Sequence, residues 1–484
     1  MKLKELLKDI EISACTADLE AEISGICYDS RTVRPGDLFV AIKGFATDGH
    51  KYIPKALAGG AAAVLCEEAP EEGAYVRTAD CRLALALVSR EFFGRPASEM
   101  TVIGITGTNG KTTSSYLIKH LLERTLGAKV GLIGTNGNMI GDEFLPSEHT
   151  TPESYELQRL FRRMADEGCS HVVMEVSSHS LTLQRVAGVH FDAALYTNLT
   201  QDHLDFHGSM EAYAEAKRLL FSNCEVAGFN IDDPWAEFMM AGAPCRKLTY
   251  SAQCEETDLA AKNIQLSASG VQFTAVYGGE QCPTGLKIPG MFSVHNALGV
   301  MAVGLSLGID LKTCAKAMDS ASGVKGRVEV VPTDGDYSIL IDYAHSPDAL
   351  ESVLKTLKPL TSGRLVVLFG CGGDRDRGKR PMMGAIAAQW ADFCIVTSDN
   401  PRTEDPQVII DDILAGMPDG QENRKVLCDR REAIAWAIDN ALPGDVILLA
   451  GKGHEDYQVV GHEKHHMDER EIVAEHIEKR RSER

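Results

Sequence analysis

Apolar runs, each followed by a polar or glycine-rich turn, recur through the middle of the chain. The runs are TVIGIT, VGLIGT, HVVMEV and AALYTNL, and amphipathic stretches such as SSYLIKHLLERTL and ESYELQRLFRRMADEG alternate with them. Strand, loop and helix in repeated order predict a mainly parallel sheet with crossover helices. Loops at the carboxyl ends of parallel strands share one edge, so the turns GTNGKTT, NGN, SSHS and TQDHLDFH are expected to meet there.

The same pattern returns in the last third of the chain. SILIDY, RLVVLFG, DFCIVT and DVILLA are each followed by a polar loop, which predicts a second doubly wound domain. Near the start, shorter runs such as DLFVAI and AAAVLC precede a Gly94-Arg-Pro96 turn, where a linker is expected. We therefore predict an α/β protein with three domains: a small α/β domain at 1–97, a central mainly parallel sheet at 98–325 and a C-terminal Rossmann-like domain at 326–484.

Two further segments are unusual in their charge. Residues 289–309 carry no charge, but glycines, His295 and Asn296 dilute their hydrophobicity, so a buried helix is expected rather than a membrane span. The last fifteen or so residues are mostly charged and predict a solvated helix or tail. The histidines at 462, 465 and 466 are expected on the solvated surface rather than on a metal.

An excess of acidic residues limits the partners that the chain can bind. Its 484 residues include 49 Lys and Arg against 69 Asp and Glu, a formal net charge of −20, which argues against nucleic-acid or anionic-membrane binding. Thirteen cysteines are scattered singly, which favours neither a disulfide framework nor a zinc ribbon. Charges interrupt every apolar run of MKLKELLKDIEIS, so no signal peptide is expected and a reducing cytoplasmic location is predicted.

The segment TVIGIT-GTNGKTT-SSYLIKHLLE has the order of a phosphate-binding loop. Gly107 and Gly110 let the backbone curl so that its N–H groups and the helix N-terminus can hold phosphate. Lys111 supplies a cation, and Thr112 can offer a hydroxyl to Mg²⁺. Ile105 stands where the GxxxxGK[ST] pattern has its first glycine, so the loop is a variant. The alternative is a glycine-rich turn with an incidental lysine, but the strand and helix around it favour a P-loop-type nucleotide-binding domain.

Acidic and imidazole side chains follow two of the central strands. Glu175 ends HVVMEV, and Asp202 and His203 follow AALYTNL. Beside a phosphate loop, these groups suit a Mg²⁺ that bridges a nucleotide and a second substrate. Alternatively, Asp202 caps a turn and His203, like His179, is a hydrogen-bonded core residue. Lys217 lies in the amphipathic stretch EAYAEAKRLLF, where a lysine is ordinarily a solvated surface residue.

Three C-terminal loops carry charge close to predicted strand ends. GDRDRGKRP places four cations in one turn: Arg375, Arg377, Lys379 and Arg380. The alternative interpretation is a solvated run of charges. In DNPR, Pro401 fixes a turn and Arg402 offers a planar fork to a carboxylate. GKGHE, residues 451–455, adds a flexible backbone, titratable groups and a carboxylate. Together these loops can bind both charged ends of an amino acid.

The motifs, taken in order, resemble one enzyme family. GTNGKTT, MEVSSH, TNLTQDHLDFH, GRVE, DYAHSPDAL, GCGGDRDRGKRP, DNPRTEDP and AGKGHEDYQ are similar to those of the ATP-dependent Mur ligases of peptidoglycan synthesis, and they span essentially the whole chain. The resemblance is strongest to members that add meso-2,6-diaminopimelate to UDP-N-acetylmuramoyl-L-alanyl-D-glutamate. It implies a monomeric cytoplasmic ligase that uses ATP and Mg²⁺ and forms an acyl phosphate on the D-glutamate γ-carboxylate. It also implies that the three domains bind UDP-sugar, ATP and the amino acid, in that order.

The resemblance implies roles for individual residues. ATP contacts are expected at Gly107, Thr108, Asn109, Gly110, Lys111, Thr112, Thr113, Asn296, Arg327, Asp342 and His345. The UDP-muramoyl dipeptide is expected at Ser30, Thr150, Thr151, Ser177 and Arg185, and meso-diaminopimelate at Arg375, Asp399, Asn400, Pro401, Arg402, Gly451 and Glu455. Metal ligands are expected at Thr112, Glu175, His203 and Lys217, the last as a carbamate. Lys111, Lys217 and His203 are the expected catalytic residues.

Selection of the amino acid is expected to depend on Arg402. Diaminopimelate differs from lysine by a carboxylate on its distal carbon, and lysine would leave the Arg402 guanidinium uncompensated. The Leu183-Gln184 pair beside Arg185 departs from some family members, which leaves a dipeptide contact at Gln184 open. The alternatives are the same ligase using L-lysine, a folylpolyglutamate-type synthetase, which is not expected to carry DNPR or the DSR motif around Ser30, and a P-loop ATPase or kinase that forms no amide.

Overall fold

The chain divides into two compact units. The first comprises Met1–Leu259 with Gly299–Asp310, and the second comprises Ala260–Leu298 with Leu311–Arg484. The computed structural model describes residues 1–44, 47–147, 149–321, 323–418 and 423–483. The α/β class is confirmed, and the predicted domain boundaries after residues 97 and 325 stay predictions.

A five-stranded sheet opens the first unit. Its strands are β1 (Ala14–Cys15), β2 (Gly25–Cys27), β3 (Asp37–Val40), β4 (Ala63–Cys66) and β5 (Tyr75–Arg77), in the order β1-β5-β4-β3-β2. The helices of this region are α1 (Leu3–Leu6), α2 (Ile53–Ala58) and α3 (Cys81–Phe92). Every side chain of β3 and β4 is buried, as expected of parallel strands covered on both faces.

A larger, mainly parallel sheet follows in the first unit. Its strands are β6 (Thr101–Thr106), β7 (Val130–Gly134), β8 (Gly137–Ile140), β9 (Glu143–Leu145), β10 (His171–Glu175), β11 (Phe191–Tyr196), β12 (Cys224–Asn230) and β13 (Arg246–Ser251). They lie in the order β13-β12-β11-β6-β10-β7-β8-β9. The helices are α4 (Lys111–Leu126), α5 (Ser154–Asp166), α6 (Ser178–Thr182), α7 (Leu204–His207), α8 (Met210–Arg218) and α9 (Ala236–Met240).

The register of the central strands brings their polar loops to one edge. Ile105 of β6 pairs with Glu175 of β10 and with Leu195 of β11, so these parallel strands end side by side. Close packing behind them needs Gly104, because a Cβ at that position would lie 2.8 Å from the Phe191 ring. The predicted meeting of the loops after these strands is therefore confirmed.

The chain then passes through a hairpin and two helices. In order, it forms β14 (Leu259–Ser267), β15 (Gly270–Tyr277), β16 (Glu280–Leu286), α10 (Met291–Ser306) and α11 (Leu311–Ser320). The helix predicted in the uncharged stretch is confirmed as α10, in which Val294, Leu298 and Val300 are buried. Across the ranges that the structure describes, no helix combines the length and apolar character needed to cross a membrane.

A six-stranded sheet forms most of the second unit. Its strands are β17 (Glu329–Val331), β18 (Ser338–Asp342), β19 (Leu365–Phe369), β20 (Phe393–Val396), β21 (Arg424–Val426) and β22 (Val446–Ala450), in the order β17-β18-β22-β19-β20-β21. The accompanying elements are α12 (Pro347–Leu357), α13 (Lys379–Trp390), α14 (Pro406–Leu414), α15 (Arg430–Asp439), the hairpin β23 (Tyr457–Val460) and β24 (Glu463–His466), and α16 (Glu469–Glu483). Asp342 pairs with Ala450, and Leu368 pairs with Leu449, so β18, β19 and β22 end at the same edge.

The C-terminal helix differs from its prediction. Ile472, Val473 and Ile477 of α16 are buried and pack in one core with Ile434 and Ile438 of α15. The prediction of a solvated helix or tail is therefore wrong for this face. Residues four or five apart form a narrow apolar stripe on a helix, and the charges around this stripe dominate the composition of the segment. His465 and His466 are exposed in β24, as predicted, and all thirteen cysteines are free.

Candidate active site

The phosphate-loop segment joins β6 to α4 and contains two glycines with positive φ. Gly107 has φ 148° and Gly110 has φ 85°. A Cβ at Gly107 would lie 1.8 Å from Oγ1 of Thr197, and this hydroxyl donates to the Asn109 carbonyl at 2.7 Å. α4 begins at Lys111, and the N–H groups of a first helical turn have no partner within the helix. The tight loop and the helix start together suit a phosphate group.

Two lysines converge on the carbonyl of Gly107. Nζ of Lys111 and Nζ of Lys217 both donate to it at 2.8 Å. Lys217 is 1% exposed, so it does not take the solvated position that is ordinary for a lysine on an amphipathic helix. Its ammonium lies 4.5 Å from the centroid of the Tyr213 ring. Because Tyr213 precedes Lys217 by four residues on α8, the buried face of the helix carries both side chains inward. Burial, reinforced by the charge of Lys111, holds the pKa of Lys217 well below its ordinary value.

The carboxylate of Glu175 is completely buried at the end of β10. Its Oε2 accepts from the hydroxyls of Thr112 and Thr135 at 3.1 and 3.0 Å, and its Oε1 accepts from the Thr135 N–H at 3.0 Å. Its backbone carbonyl accepts from the Thr151 hydroxyl at 2.8 Å. Gly134 makes room for the carboxylate, since a Cβ there would lie 2.3 Å from Oε1. One side chain thus links the start of α4 to the loop after β7.

A cleft of about 530 Å³ unites residues that the sequence places far apart. Its lining includes Thr150, Thr151, Ser177, His179, Arg185 and His203. Arg185 donates to the Thr151 carbonyl at 3.0 Å and pairs with Glu153 at 2.6 Å. The Thr151 hydroxyl accepts from the Ser177 N–H at 3.1 Å. The structure therefore brings together four of the five residues predicted for the UDP-muramoyl dipeptide.

The fifth residue, Ser30, lines a cavity of about 510 Å³ on the five-stranded sheet, together with Tyr52 and Lys55. Tyr28 and Glu153 line both this cavity and a neighbouring one of about 650 Å³. His149 lines the neighbouring cavity and also the cleft that contains Arg185 and His203. These three cavities thus adjoin one another through shared lining residues, and together they form a candidate path for a long substrate.

Histidines cluster at one end of this path. The His179 ring lies 4.9 Å from that of His203, and the His207 ring lies 5.1 Å from that of Tyr213. Burial lowers the pKa of His179, and it lowers the pKa of His207 to about 4. His203 is 48% exposed, and its Nε2 lies 3.5 Å from the Asp202 carboxylate. Within the described ranges, no group of three or more His, Cys, Asp or Glu residues is arranged to hold a metal ion.

Three of the residues predicted to contact ATP lie around the end of β18 in the second unit: Arg327, Asp342 and His345. Asp342 is buried and accepts a backbone N–H at 2.8 Å, and burial raises its pKa. The Arg327 guanidinium lies 5.7 Å from the centroid of the Tyr343 ring, and the His345 ring lies 4.7 Å from the same ring. Asn296 is buried in α10. The ATP contacts of these residues stay predictions.

The loops after β20 and β22 are joined by a buried lysine. Nζ of Lys452 is completely buried and donates to Asp399 at 3.2 Å, to Oδ1 of Asn400 at 3.0 Å and to Glu455 at 3.2 Å. The Asn400 amide also donates to Glu455 at 2.9 Å. Gly451, with φ 113°, leaves space beside Asp399, where a Cβ would lie 3.0 Å from Oδ2. One cation between two carboxylates leaves a net negative charge, which suits a substrate ammonium group.

Arg402 lies beside this cluster, where hydrogen bonds from its backbone and its side chain fix its position. It follows the buried Pro401, has φ 50°, and its N–H donates to the Val459 carbonyl at 3.1 Å. Its Nη1 donates to the Gly373 carbonyl at 2.8 Å. In the ranges that the structure describes, Arg402 forms no ion pair, so its charge is available to an anionic ligand.

The cations of the predicted basic turn differ in their surroundings: some form ion pairs within the fold, and one is exposed without an ion pair among the described residues. Arg380 is completely buried between Glu404 and Asp412, at 2.8 and 2.9 Å, and Arg377 also pairs with Asp412 at 2.9 Å. Arg375 is exposed and forms no ion pair among the described residues. A Cβ at Gly372 would lie 2.9 Å from Nη1 of Arg402 and 3.7 Å from Cγ of Arg375, so these two arginines are neighbours.

Three family models match the chain in the order of its sheets. The model described as the Mur ligase family catalytic domain matches residues 22–90, the Mur ligase middle domain matches 105–304, and the Mur ligase glutamate ligase domain matches 326–453. The UDP-N-acetylmuramoyl-L-alanyl-D-glutamate--2,6-diaminopimelate ligase of Clostridium botulinum is 46% identical over 485 residues, which cover 99% of both chains. The chain belongs to the Mur ligase family.

Further relatives of this Mur ligase share its full length. The 2,6-diaminopimelate ligase of the same name from Caldanaerobacter subterraneus is 47% identical over 98% of both chains. A solved structure of a UDP-N-acetylmuramoyl-L-alanyl-D-glutamate--2,6-diaminopimelate ligase matches with a TM-score of 0.77 at 35% identity and covers 99% of both chains. The family resemblance predicted from the motifs is confirmed.

Two residues of the Mur ligase site have no assigned role in the sequence prediction. Thr135 holds Glu175 through both its hydroxyl and its N–H. Lys452 holds the carboxylates of the second unit. Each follows a buried apolar strand in a glycine-containing turn, and that position is the signal that could have identified them.

The phosphate loop generates a prediction about nucleotide binding. Replacing Gly107 with Ala introduces a Cβ that clashes with Thr197, so we expect ATP affinity to fall by about a hundredfold, measured by isothermal titration calorimetry. Gly127→Ala is the matched control, because Gly127 also has positive φ at the far end of α4 but has no atom within 4 Å of the new Cβ. That variant should lose about 1 kcal/mol of stability and keep its ATP affinity. Equal affinity in both variants would contradict the assignment.

Proposed function

We propose that this Mur ligase joins meso-2,6-diaminopimelate to UDP-N-acetylmuramoyl-L-alanyl-D-glutamate in an ATP-dependent reaction, as a monomer in cytoplasmic peptidoglycan precursor synthesis. The observation that carries the proposal is the pair of opposite charges on the strand-end loops of the second unit. Arg402 offers a cation without an ion pair among the described residues, and Lys452 holds two carboxylates beside the same loop. The distal end of diaminopimelate carries both an ammonium and a carboxylate, which matches this arrangement.

The extended path in the first unit supports the second substrate. The cavity at Ser30 combines the Tyr52 ring with the cation of Lys55, which suits a pyrimidine and its phosphates. The connected cleft, with Arg185 and Thr151, suits the anionic dipeptide. A substrate bound along this path places its D-glutamate end at the cleft that His203 lines.

The reaction is proposed to proceed in two displacements. An oxygen of the D-glutamate γ-carboxylate attacks the γ-phosphorus of ATP, forming an acyl phosphate and releasing ADP. The free amine of diaminopimelate then attacks the acyl carbon, and the new C–N bond replaces the C–O bond to phosphate. Inorganic phosphate leaves with that oxygen, and the proton lost from the amine nitrogen passes to the departing phosphate. Catalysis of this kind depends mainly on positioning and charge. Lys111 lies at the start of α4, where its ammonium can offset the phosphate charge.

The residues at the phosphate loop fit Mg²⁺. Thr112 and Glu175 provide hard oxygen donors 3.1 Å apart, and both side chains are buried at the start of α4. Mg²⁺ typically takes one or two carboxylates and completes its shell with phosphate oxygens and water, so a cage of three acidic residues is not required. When bound, the ion neutralises charge where two anionic substrates meet. His203 and Lys217 are proposed as further ligands, with Lys217 as a carbamate.

Lys217 is suited to carbamylation because its amine is buried and lacks a carboxylate partner among the described residues. A neutral amine is the form that adds CO₂, and burial favours that form. We expect a carbamate resonance in the ¹³C NMR spectrum after incubation with ¹³C-bicarbonate, lost in Lys217→Ala. Lys119→Ala is the matched control, since Lys119 is also buried but pairs with Glu123 at 2.6 Å. A resonance that survives Lys217→Ala, or none in the unmodified protein, would contradict the proposal.

The amino-acid selectivity tests the proposed function directly. With ATP, Mg²⁺ and UDP-N-acetylmuramoyl-L-Ala-D-Glu, we expect phosphate release coupled to tripeptide formation with meso-diaminopimelate and not with L-lysine. Arg402→Ala should lower kcat/KM for diaminopimelate about thirtyfold or more, because the distal carboxylate loses its partner. Arg377→Ala is the control, because that arginine is exposed and pairs with Asp412. Release with lysine alone would overturn the selectivity, and release without an acceptor amine would indicate a plain ATPase.

A further inference from the structure

An ion pair lies completely buried beneath the amino-acid loops. Arg430 at the start of α15 and Glu469 at the start of α16 are both fully buried, with Nη2 of the arginine 2.9 Å from Oε1 of the glutamate. Burying two charges costs free energy even when they are paired, and such pairs contribute little net stability. The fold therefore gains little stability from this pair as such, and its geometry points to another role.

The guanidinium of Arg430 also reaches the two strand ends from which the amino-acid loops start. Its Nη2 donates to the carbonyl of Ala450, the last residue of β22, at 2.8 Å. Its Nη1 approaches the carbonyl of Ser398, just after β20, at 3.4 Å. The next residues along the chain are Gly451 in one loop and Asp399 in the other, both proposed above to bind diaminopimelate.

The two strands contacted by Arg430 are not neighbours in the sheet. β19 lies between β20 and β22, so no ladder hydrogen bond joins them directly. On the substrate side, Lys452 connects the two loops through Asp399 and Glu455. Below the loops, Arg430 makes the corresponding connection through backbone carbonyls. Two buried cations, Lys452 and Arg430, thus connect the two loops, in addition to the bond from the Asn400 amide to Glu455.

We propose that Arg430, oriented by Glu469, is a positioning residue that sets the spacing of the two diaminopimelate-binding loops. The residue does not touch the substrate and acts through the carbonyls of Ser398 and Ala450. A displacement of about 1 Å in a binding loop can cost up to a hundredfold in rate or affinity. This inference rests on the proposed function, and it adds that α15 and α16 belong to the support of the amino-acid site.

The test compares Arg430→Met with a control at the opposite end of the same sheet. Arg364 and Asp445 form an ion pair at 2.6 Å just before β19 and β22, so Arg364→Met removes an arginine from the amino ends of the strands. For Arg430→Met we expect KM for meso-diaminopimelate to rise about tenfold or more, with KM for ATP and for the UDP-muramoyl dipeptide within twofold of the unmodified enzyme. For Arg364→Met we expect all three KM values within twofold.

A second variant covers a failure of Arg430→Met to fold. In Arg430→Lys the charge is kept, but a compact ammonium cannot reach two carbonyls and a carboxylate as a planar fork does. We expect the same selective rise in KM for diaminopimelate, reduced to about threefold. An unchanged KM in a folded Arg430 variant, or an equal rise in Arg364→Met, would overturn the inference. If the unmodified enzyme itself does not ligate diaminopimelate, the proposed function fails first, so the two failures are distinguishable.

Discussion

The buried carboxylate of Glu175 is the constraint on which the nucleotide edge of the first unit depends. A carboxylate without contact to water is tolerated only when its oxygens accept hydrogen bonds, and here the donors come from the start of α4 and from the loop after β7. The Thr151 segment bonds to the carbonyl of the same residue. The phosphate loop, the neighbouring strand end and the dipeptide cleft are therefore placed relative to one another by a single residue.

Local cations operate within an acidic molecule. The net charge of −20 repels anionic ligands at long range. At short range, the site offers cations that are held in place by hydrogen bonds to fixed acceptors. Lys111 and Lys217 share the Gly107 carbonyl, whereas Lys452 and Arg430 tie together the loops of the second unit. A preorganised cation stabilises developing negative charge without reorganisation during the reaction.

The strands, their order along the chain and the edge where their loops meet follow from the sequence, because period and turn signals are local. The burial of Lys217 does not follow from it, since that depends on which face of α8 meets the phosphate loop. Arginines are ordinarily exposed, so the sequence does not predict the burial of Arg380 and Arg430. Their partners Glu404 and Glu469 lie 24 and 39 residues away along the chain. The composition of the α16 segment does not predict its apolar stripe either, because the few buried residues are outnumbered by the charges around them.

In the proposed reaction, phosphate leaves carrying an oxygen from the D-glutamate side chain. This transfer can be followed by labelling both oxygens of that γ-carboxylate with ¹⁸O and analysing the released phosphate by mass spectrometry. Transfer through an acyl phosphate predicts one ¹⁸O atom in each phosphate, formed in step with the tripeptide product. Unlabelled phosphate accompanying amide formation would rule out the acyl phosphate.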